Sequence, residues 1–146
     1  MNLEDQVVSL ELSRRLKELG VNQPALVYWF DVPEIYHTGG DGNIDHTKTK
    51  FKTHLGSPLA WNIDFKDSYA AYTAPELGEL LPKFIGEYFY QQIPDLRGHW
   101  SCNYINIDGV KFTPYPHMYF TDKNEANHRA KMLIHLLENK LIKLNE

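Results

Sequence analysis

The stretch NYINIDGVKFT, residues 103–113, decides the fold of this chain. Apolar and polar residues alternate on both sides of Asp108-Gly109, and such alternation is typical of a strand with one buried face. An aspartate followed by a glycine favours the two-residue turn between antiparallel strands, because glycine accepts a positive φ angle. We therefore predict a β-hairpin made of strands 103–107 and 110–113.

Further elements extend the pattern on both sides of this hairpin. Pro114 and Pro116 favour a sheet edge or a bulge for the outgoing strand, because proline cannot donate a ladder hydrogen bond. Upstream, Phe84–Gln92 is rich in aromatic residues and predicts a third strand. Downstream, apolar residues recur at helical spacing and predict a helix from Thr121 to about Asn139. Its apolar stripe consists of Ala126, Ala130, Leu133, Leu137 and Leu141.

The N-terminal half contains two further helices and shorter strands. Ser9–Leu19 predicts an amphipathic helix with a serine cap at its start and Gly20 after its end. Thr73 and Glu76 form a capping-box pattern for a helix that ends near Leu81. The predicted strands are 25–32, 59–65 and a short piece at 69–72. The first of them is apolar on both faces, which suits the centre of a sheet.

The chain has 146 residues, of which 42% are hydrophobic and 23% are charged, as in an ordinary globular domain. The length and the element order predict a single α+β domain over residues 1–146, with a mostly antiparallel sheet packed against about three helices. Residues 33–58 break the pattern, because glycines at 39, 40 and 42 favour turns. We expect a flexible surface excursion there, with room for a hairpin.

The net charge, the N-terminal sequence and the cysteine content restrict the class of function and the expected location. The formal net charge of −4 argues against a protein that coats nucleic acid, because phosphate binding needs a positive field. The N-terminal residues MNLEDQ lack the features of a signal peptide, and no apolar run approaches the ~20 residues that cross a bilayer. Cys102 is the only cysteine, which permits no internal disulfide and fits a small buried side chain. We therefore expect a cytoplasmic protein without membrane contact.

A basic segment inside the excursion is the first candidate binding site. If residues 46–54 are extended, every second side chain lies on one edge and forms a ribbon of positive charge suited to phosphate or to an acidic partner. The ribbon consists of His46, Lys48, Lys50, Lys52 and His54. The competing interpretation is an edge strand that its lysines keep from pairing with other chains.

Aromatic residues on the predicted C-terminal strands form the second candidate. Exposed aromatic side chains on a sheet can stack on bases or sugars. The residues that would make this surface are Tyr88, Tyr90, Trp100 and Tyr104. The segment lacks the basic residues of a nucleic-acid platform, and alternate residues of its strands have to fill the core. Core packing is therefore the competing interpretation.

An acid–base pair is the third possibility. His99 and His117 fall on neighbouring predicted strands, and with Asp95 they could support a small hydrolase if the fold brings them together. The sequence contains no phosphate loop, dinucleotide fingerprint or nucleophile elbow. These absences favour a protein that is not an enzyme, so no catalytic residue is assigned.

Neither a metal nor a cofactor is expected. Asp41, Asn43 and Asp45 are spaced like the start of a calcium loop, but His46 and Lys52 stand where that loop needs its glycine and its bidentate glutamate. The histidines at positions 37, 46 and 54 match no zinc spacing, and no cysteine accompanies them.

Four segments share a further feature: SLELSRRLKELGV (9–21), the strand with Tyr28-Trp29, YAAYTAPELGELLP (69–82) and ANHRAKMLIHLLENKLI (126–142). Together they resemble small phage and prophage proteins to which no activity is assigned. Residues 33–58 lie outside the resemblance. It implies a bacterial or phage cytoplasmic origin and supplies no site residues.

The resulting hypotheses belong to different classes. The first is a non-enzymatic phage or prophage accessory protein that acts as an interaction module, with a protein partner or through self-association. The alternative is a nucleic-acid or anion binder that uses the ribbon at 46–54. The second alternative is a small hydrolase, and none of the three requires a cofactor.

Overall fold

The computed structural model describes residues 2–22, 24–34, 50–108, 111–114 and 119–144. Within these ranges the chain forms three α-helices and eight strands in two antiparallel sheets, which confirms the predicted α+β class. The helices are α1 (Leu10–Glu18), α2 (Ala74–Leu80) and α3 (Glu125–Glu138). The strands are β1 (Tyr28–Glu34), β2 (Lys50–Gly56), β3 (Ser68–Ala70), β4 (Phe84–Ile85), β5 (Tyr88–Pro94), β6 (Trp100–Asp108), β7 (Lys111–Pro114) and β8 (Phe120–Asp122).

The first sheet has the order β2-β1-β3, so β1 is its central strand, as its apolar sequence predicts. Tyr28 and Phe30 lie on the buried face of β1, and they are only 8% and 2% exposed. β1 and β2 are antiparallel, with Phe30 opposite His54. The strand begins later than predicted, at Tyr28, and continues to Glu34.

Part of the segment expected to be an irregular excursion is a regular strand. β2 lies at an edge of the first sheet and pairs with β1 along its whole length. The long-range ladder supplies its backbone hydrogen bonds, and the local glycine-rich sequence does not reveal that partner. The excursion residues 35–49 lie outside the described part of the chain.

The second sheet has the order β4-β5-β6-β7, and β8 also pairs with β6. The predicted hairpin is confirmed, because β6 and β7 are antiparallel with Asp108 opposite Lys111. β6 ends and β7 begins one residue later than predicted. β5 occupies one side of β6, so β7 and β8 share the other side and form the sheet edge that Pro114 predicts.

The segment 59–65 does not form the predicted strand. Its two ends belong instead to the 3₁₀ helices Pro58–Trp61 and Phe65–Asp67, and residues 62–64 connect them. A proline starts the first of these, and Asn62 ends it with a left-handed φ of 57°. The Asp64 carboxylate caps the second by accepting a backbone N–H at 3.1 Å. These local bonds satisfy the backbone without a sheet partner, so the alternation of apolar residues does not produce a strand here.

Two further boundaries differ from the predictions. The predicted strand 84–92 is a hairpin of β4 and β5, because Gly86 takes a φ of 59° and turns the chain. Thr121 and Asp122 belong to β8, where they pair with β6 instead of opening the last helix. The N-cap of α3 is Asn124. The ladder partner on β6 is distant in sequence, so the helical pattern alone does not reveal it.

Both sheets and all three α-helices contribute to one hydrophobic core. α3 packs on β6 and β8, and α1 and α2 both contact α3. The largest fully buried side chains include Tyr104, Phe30, Leu16, Leu77 and Leu133. At the surface, Arg15 ties α1 to α3 through a hydrogen bond of 2.7 Å to Glu138. α3 is therefore the element that connects the other helices with the second sheet.

Asn124 couples the start of α3 to the N-terminal segment. Its side-chain oxygen accepts the Asn127 N–H at 3.1 Å, and its Nδ2 donates to the Val7 carbonyl at 2.9 Å. We expect Asn124→Ala to lower the free energy of unfolding by about 2 kcal/mol, because it removes both a helix cap and this tether. Asn124→Ser keeps a cap acceptor and loses the tether, so we expect roughly half that loss. Urea denaturation measures both, and equal stability of the alanine variant and the wild type would contradict the prediction.

Candidate functional site

A cleft of about 640 Å³ lies where the N-terminal segment, the first turns of α2 and α3, and the start of β6 meet. Ligand sites in proteins typically have volumes of roughly 300–1,000 Å³. A β-bridge between Val7 and Thr73 and the bond from Asn124 to Val7 hold these elements together. The side chains that line the cleft include Asp5, Leu26, Pro75, Glu76, Glu79, Trp100, Lys123 and Glu125.

Apolar side chains on the wall of this cleft remain open to solvent. Leu26 is 77% exposed, although it lies just before a central strand. Trp100 is half-buried, and its indole stacks on the imidazole of His128 with ring centroids 6.4 Å apart and planes 7° from parallel. Tryptophan is a frequent anchor of protein interfaces, and covering either side chain would remove apolar surface from water.

Two of the four carboxylates that line the cleft are engaged in the fold. Glu76 completes the predicted capping box, with its Oε2 accepting the N-cap N–H of α2 at 2.7 Å. Its Oε1 accepts the Leu26 N–H at 3.0 Å. Glu125 Oε1 accepts from Arg129 Nη2 and from Gln92 Nε2, both at 2.8 Å. These two carboxylates hold the walls of the cleft in place.

The other two carboxylates belong to Asp5 and Glu79. Both are exposed, and neither side chain has a hydrogen bond or an ion pair with a residue in the described ranges. Among the described lining residues, Lys123 is the one basic side chain. Arg129 compensates the charge of Glu125, and the three other carboxylates against one ammonium give the cleft a negative potential, which attracts cations and repels phosphates.

His128 is fully buried beneath the Trp100 indole. Neither of its ring nitrogens has a hydrogen-bond partner among the described residues. Burial, reinforced by the positive charge of Arg129, lowers the pKa of His128 from 6.5 to about 4. The imidazole is therefore neutral at pH 7, and the indole carries no cation on this inner side.

The structure separates the four aromatic residues expected at a surface. Tyr104 is fully buried, and its hydroxyl donates to the Pro82 carbonyl at 2.6 Å. For Tyr104 the burial agrees with the competing interpretation of core packing, because this face of β6 packs on α3. Tyr90 is half-buried with its ring centroid 5.5 Å from that of Tyr104, and Tyr88 is half-buried as well. Only Trp100 of the four lines the cleft.

The described part of the basic ribbon lies on β2. Lys52 is exposed, while His54 is half-buried with its ring centroid 4.9 Å from that of Trp61. β2 is an edge strand, as the competing interpretation expects. The ribbon residues at positions 46 and 48 lie outside the described residues, so an anion site at 46–54 stays a prediction.

Asp95 and His99 are close together because a tight turn joins them. Asp95 Oδ1 accepts the backbone N–H of His99 at 2.9 Å and that of Arg97 at 2.8 Å. The bond from the His99 backbone is the main cause of the lowered pKa of Asp95. The imidazole Nδ1 of His99 is 4.0 Å from Asp95 Oδ2. His117 lies outside the described residues, so its approach to this pair stays a prediction.

Cys102 lies on β6 and is only 1% exposed, which confirms its interpretation as a buried side chain. Its Sγ is 3.5 Å from the His128 carbonyl oxygen. Burial raises the pKa of the thiol to about 12, so the nucleophilic thiolate does not form at neutral pH.

No sequence pattern marks Asp5, Leu26 or Glu79 as residues of a site. Asp5 and Glu79 carry no local signal beyond an exposed charge, and Leu26 reads as one more apolar residue of a predicted central strand. They come together through long-range contacts, which include the pairing of Val7 with Thr73 and the bond from the Leu26 N–H to Glu76. The available signal was Trp100, which the sequence analysis did include among its candidates.

In the described portion of the chain, no helix combines the length and the apolar character needed to cross a membrane. Comparison of the chain with protein-family models, with curated proteins and with solved structures gave no match.

Proposed function

We propose that this protein is a non-enzymatic interaction module that binds a segment of a partner protein in the cleft beside Trp100. The observation that carries the proposal is the solvent-open apolar wall of a concave site, where Leu26 is 77% exposed and Trp100 is half-buried. A partner side chain that covers this wall would gain about 25 cal/mol for each Å² of apolar surface removed from water.

The construction of the walls supports a preformed site. The capping box of Glu76 fixes the start of α2 and also holds the Leu26 backbone. The bonds of Glu125 to Arg129 and Gln92 fix the first turn of α3 against β5. A site that is already ordered pays less conformational entropy when it binds, which favours recognition of a flexible segment.

The states of the Cys102 thiol and the Asp95 carboxylate favour a binding role over a catalytic one. The thiol of Cys102 is buried and protonated at neutral pH. The Asp95 carboxylate accepts two backbone N–H groups and serves to close a turn. Neither group lines the cleft, where the described carboxylates either brace the walls or face solvent.

The biological setting in this proposal follows from the resemblance to small phage and prophage proteins. We place the protein in the bacterial cytoplasm, as an accessory protein that acts by occupying a segment of a host or phage protein. Self-association through the cleft is the second form of the same function, and light scattering over a concentration series distinguishes it from capture of a different protein.

Selection from a displayed library of random peptides tests the proposed function. We expect the wild-type protein to enrich peptides whose binding weakens at least about tenfold in Leu26→Ser, because burial of a leucine is worth roughly 1.5–3 kcal/mol. Leu26 is largely exposed, so this change should leave the stability of the fold unaltered.

Leu96→Ser is the matched control, because Leu96 is also a solvent-exposed leucine, does not line the cleft and lies in the turn after β5. It should bind the enriched peptides as tightly as the wild type does. The proposal fails if no peptide is enriched, or if the enriched peptides bind the Leu26 variant and the wild type equally well.

A further inference from the structure

We infer that the segment recognised by this cleft carries an arginine or lysine next to an apolar side chain. This inference rests on the proposed function and adds the chemistry of the partner. It combines three features of the same concavity: its free carboxylates, the ring of Trp100 and the open apolar wall.

Charge is the first feature. Glu76 and Glu125 are hydrogen-bonded to the walls of the cleft. The exposed carboxylates of Asp5 and Glu79 can therefore bind a cation from a ligand. They have no partner in the described residues, so a bound cation would displace no ion pair within that part of the chain. A carboxylate, phosphate or nucleic-acid ligand would meet repulsion from both of them.

The indole of Trp100 is the second feature. A guanidinium or ammonium near an indole is attracted by the negative potential of the ring face, and tryptophan is the best aromatic partner for this contact. His128 covers one face of the ring from the inside, and Trp100 still contributes to the cleft lining. Because the buried imidazole is neutral at pH 7, it does not weaken the attraction of a second cation.

The apolar wall is the third feature. Leu26 and Pro75 are both exposed, and both line the cleft together with Trp100. A cation alone would leave this surface in water, whereas an apolar neighbour of the cation would cover it. The long aliphatic stem of arginine or lysine adds to this contact, because it can lie along apolar surface while its charged end stays hydrated.

Titration of the folded protein with three short peptides, followed by the NMR signal of the Trp100 indole N–H, tests the inference. The peptides are acetyl-ALARA-amide and two versions in which citrulline or glutamate replaces the arginine. Citrulline keeps the shape of arginine and removes its charge. We expect the arginine peptide to bind about fivefold more tightly than the citrulline peptide, and the glutamate peptide to bind most weakly.

Charge variants locate the effect. The double variant Asp5→Asn/Glu79→Gln should bind the arginine and citrulline peptides with about equal affinity. The matched control, Glu11→Gln/Glu87→Gln, removes two exposed carboxylates that do not line the cleft and should keep the preference. The net charge changes equally in both double variants, so only the position of the lost charges differs.

The outcomes separate the inference from the proposed function. Equal binding of all three peptides at Trp100 would overturn the inference and leave the cleft as an interaction site. An unchanged arginine preference in Asp5→Asn/Glu79→Gln would overturn it as well. A Trp100 signal that none of the three peptides shifts would contradict both the inference and the cleft as the binding site.

Discussion

The wild-type protein is expected to lose about 3 kcal/mol of unfolding free energy between pH 7 and pH 4, mainly because of His128. Burial lowers its pKa in the folded state to about 4, while an unfolded histidine titrates near 6.5. Between these values the unfolded chain binds a proton that the folded chain does not bind. The stability contributed by the neutral imidazole is therefore complete above pH 6.5 and is lost as the pH falls towards 4.

The surroundings of His128 support this direction. The ring stacks on Trp100, and neither nitrogen has a hydrogen-bond partner in the described residues. Of the charged groups nearby, Arg129 disfavours the imidazolium, whereas Glu125 and Asp122 favour it more weakly than burial opposes it. The Asn124 backbone also favours the imidazolium, but the cost of burying a charge outweighs these contributions, so the folded protein disfavours a proton on this ring.

The aspartates Asp122 and Asp95 lose their contribution to stability at a lower pH than His128 does. Burial acts to raise the pKa of Asp122, but hydrogen bonds from Lys131 and from the Asn124 backbone outweigh it, so the net shift is downward. The pKa of Asp95 is lowered too. Since an unfolded aspartate titrates near 3.9, both carboxylates lose their stabilising effect mainly below pH 4.

His128→Leu is the decisive variant. It removes the titrating group and both unpartnered nitrogens, so its stability at pH 7 should equal or exceed that of the wild type. Its free energy of unfolding should change little between pH 7 and pH 4, as measured by urea denaturation followed by circular dichroism. His135→Leu, a half-buried histidine on the same helix, should keep the wild-type slope. A steep slope that persists in His128→Leu would assign the acid sensitivity to another group.

Arg129→Met is expected to lower the free energy of unfolding by about 3 kcal/mol at pH 7. The guanidinium donates to three elements: to the Ala74 carbonyl at 2.7 Å on α2, to Gln92 Oε1 at 2.8 Å on β5, and to Glu125 Oε1 at 2.8 Å on α3. The arginine side chain is only 18% exposed. Methionine fills similar space and leaves the partly buried Glu125 carboxylate without its cation.

Gly78 shows how closely α2 approaches this guanidinium. A Cβ atom at position 78 would lie 2.5 Å from Arg129 Nη1, so the glycine leaves room for the arginine.

Chemical denaturation measures the Arg129→Met effect, with Arg129→Lys as the conservative comparison. Lysine keeps the positive charge but lacks the planar guanidinium that donates to all three partners. We therefore expect the stability of Arg129→Lys to lie between that of the wild type and that of Arg129→Met.

Arg15→Met provides the control for loss of a charge at the surface. Arg15 bonds to Glu138 and Glu18, and all three side chains are exposed to solvent. Exposed ion pairs contribute little to stability, so this change should have a much smaller effect than Arg129→Met. Equal losses of unfolding free energy in the two variants would show that the bonds of Arg129 contribute no more to stability than an exposed ion pair does.

Local patterns predicted the elements whose backbone bonds are local. The capping box of Thr73 and Glu76 gave the start of α2, and the pattern around Asp108-Gly109 gave the hairpin within one residue. The predictions were wrong where a local alternative or a distant partner took the backbone. Asp64 caps a 3₁₀ helix in a segment that alternates like a strand, and Thr121 pairs with β6 in a segment assigned to a helix.

The sequence by itself determined the α+β class, the central place of β1, the amphipathic helices and the burial of Cys102, because periodicity and capping act over a few residues. Only the tertiary structure decided which aromatic residues are core and which face solvent. Tyr104 and Trp100 occur four residues apart on one strand, yet α3 and its neighbours cover the first fully and the second only in part. The cleft is likewise a tertiary product, because Asp5, Leu26, Glu79 and Trp100 are distant in sequence and meet only through long-range pairing. The pairing of Val7 with Thr73 and of β8 with β6 puts them around one cavity.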